Sequence, residues 1–585
     1  VRAGRNHVRI GGAAGFWGDS ALGPRQLLDG GDLDYLVFDY LAELTMSLLA
    51  AARRKQPELG YATDFIDVMR DVLGDALARG VRVVANAGGI NPQGCAAALR
   101  ALAAEQGLAP RIAVVEGDDV SGLLPSLREE GVALPAAVLS ANAYLGALPV
   151  KAALDAGADV VITGRCVDSA VTLGALMHEF GWAADDYDRL AAGSLAGHLI
   201  ECGCQGSGGL FTDWEAVPDW ANSGYPVVEC RADGSFVLGK PEGTGGLVTP
   251  AVAAEQLLYE IGDPAHYVLP DVVCDFTAVT LTADGPQRVL AQGARGRAPT
   301  PTYKVSATYA DGFRSAAQLT VVGHDAGRKA RRSAEAILAR TRAMFARAGL
   351  GDYSATHIDI LGAEDGFGQA VMWLAVAHPQ RAALDIFARE IAPAGTSWAP
   401  GTTGFGGRPS VTPAIKQFSF LLDKARITPV VHLPNGEQTR PEIPPGAAAT
   451  AEPVSHPGVR PHGVTRAEPR DGWRMVPLIE LAWARSGDKG DTSNIGVIAR
   501  HPDDLPLLRE QLTPQAVAAH LADKVRGPVT RYELPGIHAF NFVCEQALGG
   551  GGMASLRHDP LGKGMAQWLL AMPVAVPPDF TSRRP

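Results

Sequence analysis

Lysine is scarce in this chain. Of 52 basic residues among 585, only ten are lysine, at positions 55, 151, 240, 304, 329, 416, 424, 489, 524 and 563. Two of them, Lys489 and Lys563, lie inside glycine-rich motifs. With 63 acidic residues the formal charge is −11, which excludes the broad basic surface of a general nucleic-acid binder while leaving room for a local basic pocket. Cysteine is also sparse. Seven residues, scattered apart from Cys202-Gly-Cys204, do not make a disulfide framework and point to the cytoplasm. No apolar run approaches the ~18 residues that span a bilayer, and Arg2, Arg5, His7 and Arg9 lead into no apolar core, so a cytoplasmic protein without a membrane partner is expected. Metal cassettes are missing: there is no H-E-x-x-H or H-x-H, and Cys202 and Cys204, with His198 nearby, lack the spacing and second ligand pair of a structural zinc. A Walker A loop is absent too. The 68 glycines show no G-X-Y period, which excludes collagen and places them in turns and loops.

What is present alternates. Short apolar runs at 8–10, 35–38, 81–85, 112–115, 136–139 and 160–163 are separated by helix-length stretches such as 41–54, 64–79, 95–105 and 167–180. Runs apolar on consecutive positions are buried on both faces, so residues 1–200 are expected to form a Rossmann-like α/β layer around a parallel sheet. Over 201–440 the pattern changes to alternating strands such as 278–282 and 303–307, with helices at 252–261 and 327–348, an α+β region completing the large unit. Residues 441–471 are Pro- and Ala-rich without periodicity and read as a linker. Residues 472–585 mix short strands and helices and read as a small two-layer α+β domain.

Four polar loops follow strands of the proposed parallel sheet, and in open α/β sheets ligands collect at the carboxyl ends of strands. The first carries Gly12 and Asp19, with Asp19 an acid/base or a helix cap. After the second, Asp39 and Glu43 are four residues apart and share a face if the helix begins at once, either a suitable pair for proton transfer or an ordinary helix start with Asp39 as its cap. The third combines Asn86, Gly88, Gly89 and Asn91 before a helix, donors suited to an anion or oxyanion. The sixth run ends in Arg165 and Asp168, a carboxylate or phosphate holder and its partner. Gly245 and Arg408 stand in two further anion-friendly turns. In the small domain Ser486, Asp488 and Lys489 share a dense polar loop, and Lys563 sits at a Gly-flanked helix start. Cys95, near a helix N-terminus, and Ser169 are the alternative nucleophiles.

The motifs GGAAGFWGDS, DYLVFDYLAELTM, ANAGGINPQG, VITGRCVDSAVTLGALMHEFGW and EGTGGLVTP together resemble the acyclic terpene utilization (AtuA-like) family. ARSGDKGDTSNIG followed by LRHDPLGKGM is similar to the small ferredoxin-fold domain that accompanies it. The resemblance covers most of residues 8–575. It implies catabolism of acyclic terpenes and branched acids through acyl-CoA intermediates.

Joined to the strand-end loops, that implication favours a lyase or hydratase acting on a hydroxyacyl- or enoyl-CoA. Asp39, Glu43 or Asp168 would carry protons, Asn86, Gly88 and Gly89 would hold an oxyanion, and Arg165, Arg408 or Lys489 an anionic group. Coenzyme A enters as part of the substrate, with no separate cofactor or metal. A hydrolase or acyl transferase using Cys95 or Ser169, and a non-catalytic acyl-CoA-binding or assembly protein, are the alternatives. The expected partner is a small acyl-CoA or carboxylic molecule, with no nucleic acid, and the chain is expected to form a homo-oligomer.

Overall fold

The computed structural model describes residues 6–363, 365–447 and 472–584. Of the expected linker, residues 448–471 lie outside the described residues, and Ala447 N–H still donates to Pro299 O (2.9 Å) on the large unit.

The large unit is built on an eleven-stranded sheet. Its parallel core comprises β1 (His7–Ala14), β2 (Tyr35–Phe38), β3 (Arg82–Ala85), β4 (Ile112–Glu116) and, after β5 (Val138–Ala143) has left the sheet, β6 (Val160–Thr163), in the order β1-β2-β3-β6-β4. Tyr35, Leu36, Val37 and Phe38 are each at most 3% exposed, as a strand covered on both faces requires. Helices Asp64–Arg79 and Pro92–Glu105 cover one face, and helices Ala170–Phe180 and Tyr187–Ile200 the other. Antiparallel strands extend both edges. Val227–Arg231 pairs with β1, and Val430–His432 pairs with β4, so the sheet draws on segments from residue 7 to residue 439.

The run 136–139 does not supply a strand of this sheet. β5 begins two residues later and pairs antiparallel with residues 305–309 of a 23-residue strand, Thr302–His324. A short apolar run fits either sheet, and only the distant partner decides. The long strand organises the α+β region. Its first half pairs with β5 and Thr412–Asp423, its second with Phe367–His378 and Thr402–Phe405, while helices Ala326–Arg347 and Arg381–Arg389 pack on one face.

In the small domain four antiparallel strands run in the order Ala482–Lys489, Thr492–Ala499, Ala539–Cys544, Val529–Leu534. The polar segment expected as a loop over 484–494 is therefore a hairpin, turned at Gly490 and Asp491. Its period of two decides the domain arrangement. Ala484, Ile495, Val497, Phe540 and Phe542 pack under the domain's own helices. The alternate positions Arg485, Gly487, Asn494, Gly496 and Asn541 meet the large unit at the end of helix Pro250–Leu258. A Cβ at Gly496 would stand 2.5 Å from Leu258 Cβ, and one at Gly487 would stand 2.6 Å from Glu260 Cγ; both glycines permit the close approach.

Polar contacts close the seam. Arg485 donates from Nε and Nη2 to Glu255 Oε2 (3.2 and 3.0 Å), from Nη1 to Gln205 Oε1 (2.8 Å) and from Nη2 to Gly209 O (2.9 Å). Glu255 Oε1 accepts from Thr212 N–H and Oγ1–H (3.1 and 2.6 Å). Asn494 Nδ2 donates to Leu258 O (2.6 Å), its Oδ1 accepts from Glu260 N–H (3.0 Å), and Asn541 Nδ2 donates to Ile261 O (2.7 Å). Removing one member of a fully buried ion pair leaves its partner charged without water, at a cost of about 3–5 kcal/mol. Arg485→Ala is therefore expected to lower the unfolding free energy in urea by that amount, with a lower midpoint, and to make the small domain susceptible to proteolysis. An unchanged midpoint with intact protease resistance would show that the pair does not hold the seam.

Candidate functional site

The carboxyl ends of β2, β3 and β6 bring together four residues singled out from the sequence. Asn86 Nδ2 donates to Asp39 Oδ1 (2.5 Å), and Asn86 Oδ1 accepts from Tyr40 N–H (2.7 Å). Arg165 is held by Asp118, whose Oδ2 accepts its backbone N–H (2.9 Å), and its guanidinium donates to Asp168 Oδ1 (2.7 Å). Burial, followed by the nearby Asp168, raises Asp39 well above the usual carboxyl range, against the opposing pull of Arg165. Asp39 does not cap the next helix, which starts at Glu43 with Ala42 as its cap residue.

The second wall comes from Glu43 and the α+β region. Tyr144 lies beneath two cations, with Arg165 Cζ 4.2 Å and Lys304 Nζ 4.9 Å from its ring centroid, and its hydroxyl donates to Glu43 Oε1. Lys304 Nζ stands 3.7 Å from the same oxygen, and Gln417 Nε2 donates to it (3.2 Å). Burial pushes Glu43 up, but Lys304, Arg165 and the Tyr144 hydroxyl outweigh it and hold the carboxyl down at about 2. Lys304 reaches this wall because Tyr303, Val305 and Ala307, on the opposite face of its strand, are in the core.

The small domain supplies the third wall. Lys489 Nζ is 3.4 Å from Glu260 Oε2; Lys563 Nζ donates to the Tyr259 hydroxyl and stands 3.6 Å from Glu260 Oε1 and 3.8 Å from Asp488 Oδ1. Burial, then the neighbouring Glu260, pushes Asp488 up to about 7, against Lys563 and Lys489. Burial disfavours the Lys489 ammonium, yet Glu260, Tyr267, Asp168 and Glu43 together raise its pKa well above the usual value. Lys489 keeps half of its side-chain surface open, so this charge-dense region is a cleft. Ser486 positions Lys563: its hydroxyl donates to Gly562 O (2.7 Å) and accepts from Ala566 N–H (2.9 Å). Glu260 has φ +57°, a left-handed conformation costly outside glycine and held here by Asn494. His198 and Glu201 close the floor, Nδ1 to Oε1 2.9 Å. Burial raises Glu201 while His198 opposes it.

Other expected site residues have structural work elsewhere. The N–H of Gly88 donates to Thr163 O (3.0 Å) and that of Gly89 to Asn86 O (3.3 Å). With the Asn86 amide engaged at Asp39, these donors do not form the expected oxyanion hole. Asn91 caps helix Pro92–Glu105 through Gly94 N–H (3.1 Å) and donates to Leu59 O (2.8 Å). Gly12 and Gly245 are close-packing positions, where a Cβ would lie 2.3 Å from Ile200 O and 2.0 Å from Asp219 O respectively. Asp19 accepts from Gly15 N–H (2.9 Å) and the Tyr225 hydroxyl (2.7 Å), fixing a turn. Arg408 is exposed beyond strand Thr402–Phe405, which pairs with the far half of the long strand, away from Lys304. Cys95 is fully buried, and burial pushes its thiol up, the opposite of an activated nucleophile. Ser169 is buried against Gly197, with no base hydrogen-bonded to it among the described residues.

Tyr144, Glu201, Tyr259, Glu260, Lys304 and Gln417 were not singled out from the sequence. Only Lys304 carried a usable signal, the scarcity of lysine. Among the described residues no group of three or more His, Cys, Asp or Glu is arranged to hold a metal ion, and no helix is long and apolar enough to cross a membrane.

Fold and cleft together define a two-domain α/β protein that places lysines from a ferredoxin-like domain over the strand ends of a mixed sheet. Residues 8–433 match the family model described as acyclic terpene utilisation family protein AtuA, and residues 476–575 match the AtuA ferredoxin-like domain. The chain belongs to the AtuA family, whose role is acyclic terpene utilisation. No curated protein matches it.

Asn86 satisfies two buried groups at once, so Asn86→Ala is expected to destabilise the chain by about 2 kcal/mol or more in urea unfolding. A change below about 0.5 kcal/mol would mean that Tyr40 N–H and Asp39 find other partners.

Proposed function

We propose that the chain is an enzyme of branched or terpenoid acyl-CoA catabolism, a lyase or hydratase acting on a hydroxyacyl-CoA or enoyl-CoA thioester. The observation that carries this reading is a pair of carboxyls driven in opposite directions within one lysine-lined cleft: Asp488 at about 7 and Glu43 at about 2. Such a separation gives one site both a permanent anion and a proton carrier near neutrality.

Glu43 then fixes Tyr144 and Lys304, and Asp488 moves the proton. In the dehydration direction the Asp488 carboxylate takes the proton from the carbon beside the thioester carbonyl. Negative charge gathers on the carbonyl oxygen, where the Lys489 ammonium stabilises it. As the carbonyl re-forms, the β-hydroxyl leaves and receives the proton from Asp488, giving an enoyl thioester and water. Hydration is the reverse. A neighbouring pocket of about 480 Å³ suits a branched hydrocarbon tail: Phe211, Trp214, Val217 and Trp220 line it, and Lys563 stands in its wall.

The direct test incubates the protein with branched 3-hydroxyacyl- and enoyl-CoA esters and follows gain or loss of water by mass spectrometry. Turnover of at least one is expected, and none on any would sink the reading. For the active ester, Asp488→Asn is expected to lower kcat by about 10²- to 10⁴-fold with the fold retained. Because the base is the ionised form, kcat/KM of the native chain should rise with pH through about 7. A flat profile, or an Asp488→Asn variant of native activity, would remove Asp488 from the proton path.

A further inference from the structure

A cavity of about 690 Å³ opens between the α+β sheet and the small domain. Its walls carry five cations, Arg314, Lys416, Lys524, Arg526 and Arg557. Two are neutralised: Lys416 pairs with Asp311, and Lys524 with Asp523 at 2.8 Å. Of the other carboxylates in the wall, Asp359 accepts from His357 and His558 (2.8 and 2.7 Å), and Asp559 from Lys563 N–H and Gly564 N–H (2.9 and 2.8 Å).

Three guanidiniums are thus without a carboxylate. The Arg314 guanidinium donates only to Met553 O (2.9 Å), and that of Arg557 only to Ala547 O and Lys524 O. Arg526 is exposed, and its guanidinium makes no hydrogen bond or ion pair among the described residues. Like charges on facing walls repel, and a planar guanidinium fork pairs best with the paired oxygens of a phosphate. The cavity borders the cleft: Gln417 lines it while donating to Glu43 Oε1 (3.2 Å), and Met565, two residues beyond Lys563, lines the same wall.

We infer that this cavity receives the phosphorylated nucleotide end of the thioester substrate, with Arg314, Arg526 and Arg557 on its phosphates and the thioester arm passing Gln417 into the cleft. The inference rests on the acyl-CoA reading for the identity of the ligand, and on the unpaired arginines for its place.

Titration calorimetry on the full chain with free coenzyme A tests it, with inorganic pyrophosphate as a separate arm. Coenzyme A is expected to bind, at least tenfold more tightly than pyrophosphate, and Arg314→Gln and Arg526→Gln are each expected to weaken it at least tenfold. The Arg526 guanidinium has no partner to lose, so its variant isolates ligand binding from folding. Coenzyme A binding that both variants leave unchanged would overturn the inference, as would equal affinity for pyrophosphate. Turnover of acyl-CoA esters without dependence on these arginines would overturn it while leaving the reaction standing. Arginine-dependent coenzyme A binding without turnover of any ester would support the cavity's role and count against the reaction.

Discussion

Glu255 has no exposure to solvent, and a carboxylate in that position remains charged only where the protein replaces the water it has lost. Arg485 and Thr212 supply that replacement, one from the small domain and one from the large, so docking brings in the cation that offsets the burial of Glu255. The same docking lowers Lys489 and Lys563 onto Glu260. Without it, Glu260, Glu43 and Asp168 would face one another with far less positive charge between them. The seam is therefore both the structural contact and the condition under which the cleft exists.

The electrostatics of the cleft follow from this crowding. Burial pushes Asp39, Glu43, Glu201, Glu260 and Asp488 upward, and the outcome at each depends on which charge stands nearest. Lys304 and Arg165 bring Glu43 down; the proximity of Glu260 leaves Asp488 high. The value at Asp488 does not belong to one domain alone, since Glu260 extends from the large unit and Asp488 from the small. Ser486 and Asn494 complete the arrangement at a distance from the chemistry, one fixing the turn that carries Lys563 and the other holding Glu260 in its left-handed conformation.

Much of this was legible in the sequence wherever a local pattern determined the outcome. The parallel strands are apolar on consecutive positions, so Asp39, Asn86, Arg165 and Asp168 were placed at strand ends and are found together. Lys489 and Lys563 stood out because lysine is rare. Elsewhere long-range pairing decided. β5 takes its place from residues 305–309, and Asp311-Gly312 breaks the alternation of the 23-residue strand with an irregularity between Ala310 and Phe313, hiding its length. Glu260 follows a helix with no motif around it, and only the arriving hairpin gives it a role. Gly88 and Gly89 misled for a related reason: a glycine-rich loop before a helix suggests free N–H groups, but those of this loop are taken up by Thr163 and Asn86.

Glu260, a charge from the large unit, adds to burial in raising the proton affinity of Asp488 in the small one. Comparing the pH dependence of kcat/KM for the native chain and for Glu260→Gln measures this directly. Removing the negative neighbour leaves Asp488 beside two lysines, so the limb near pH 7 should move to lower pH in the variant. A limb that stays where it was, in a variant that still folds and turns over, would contradict a shared site.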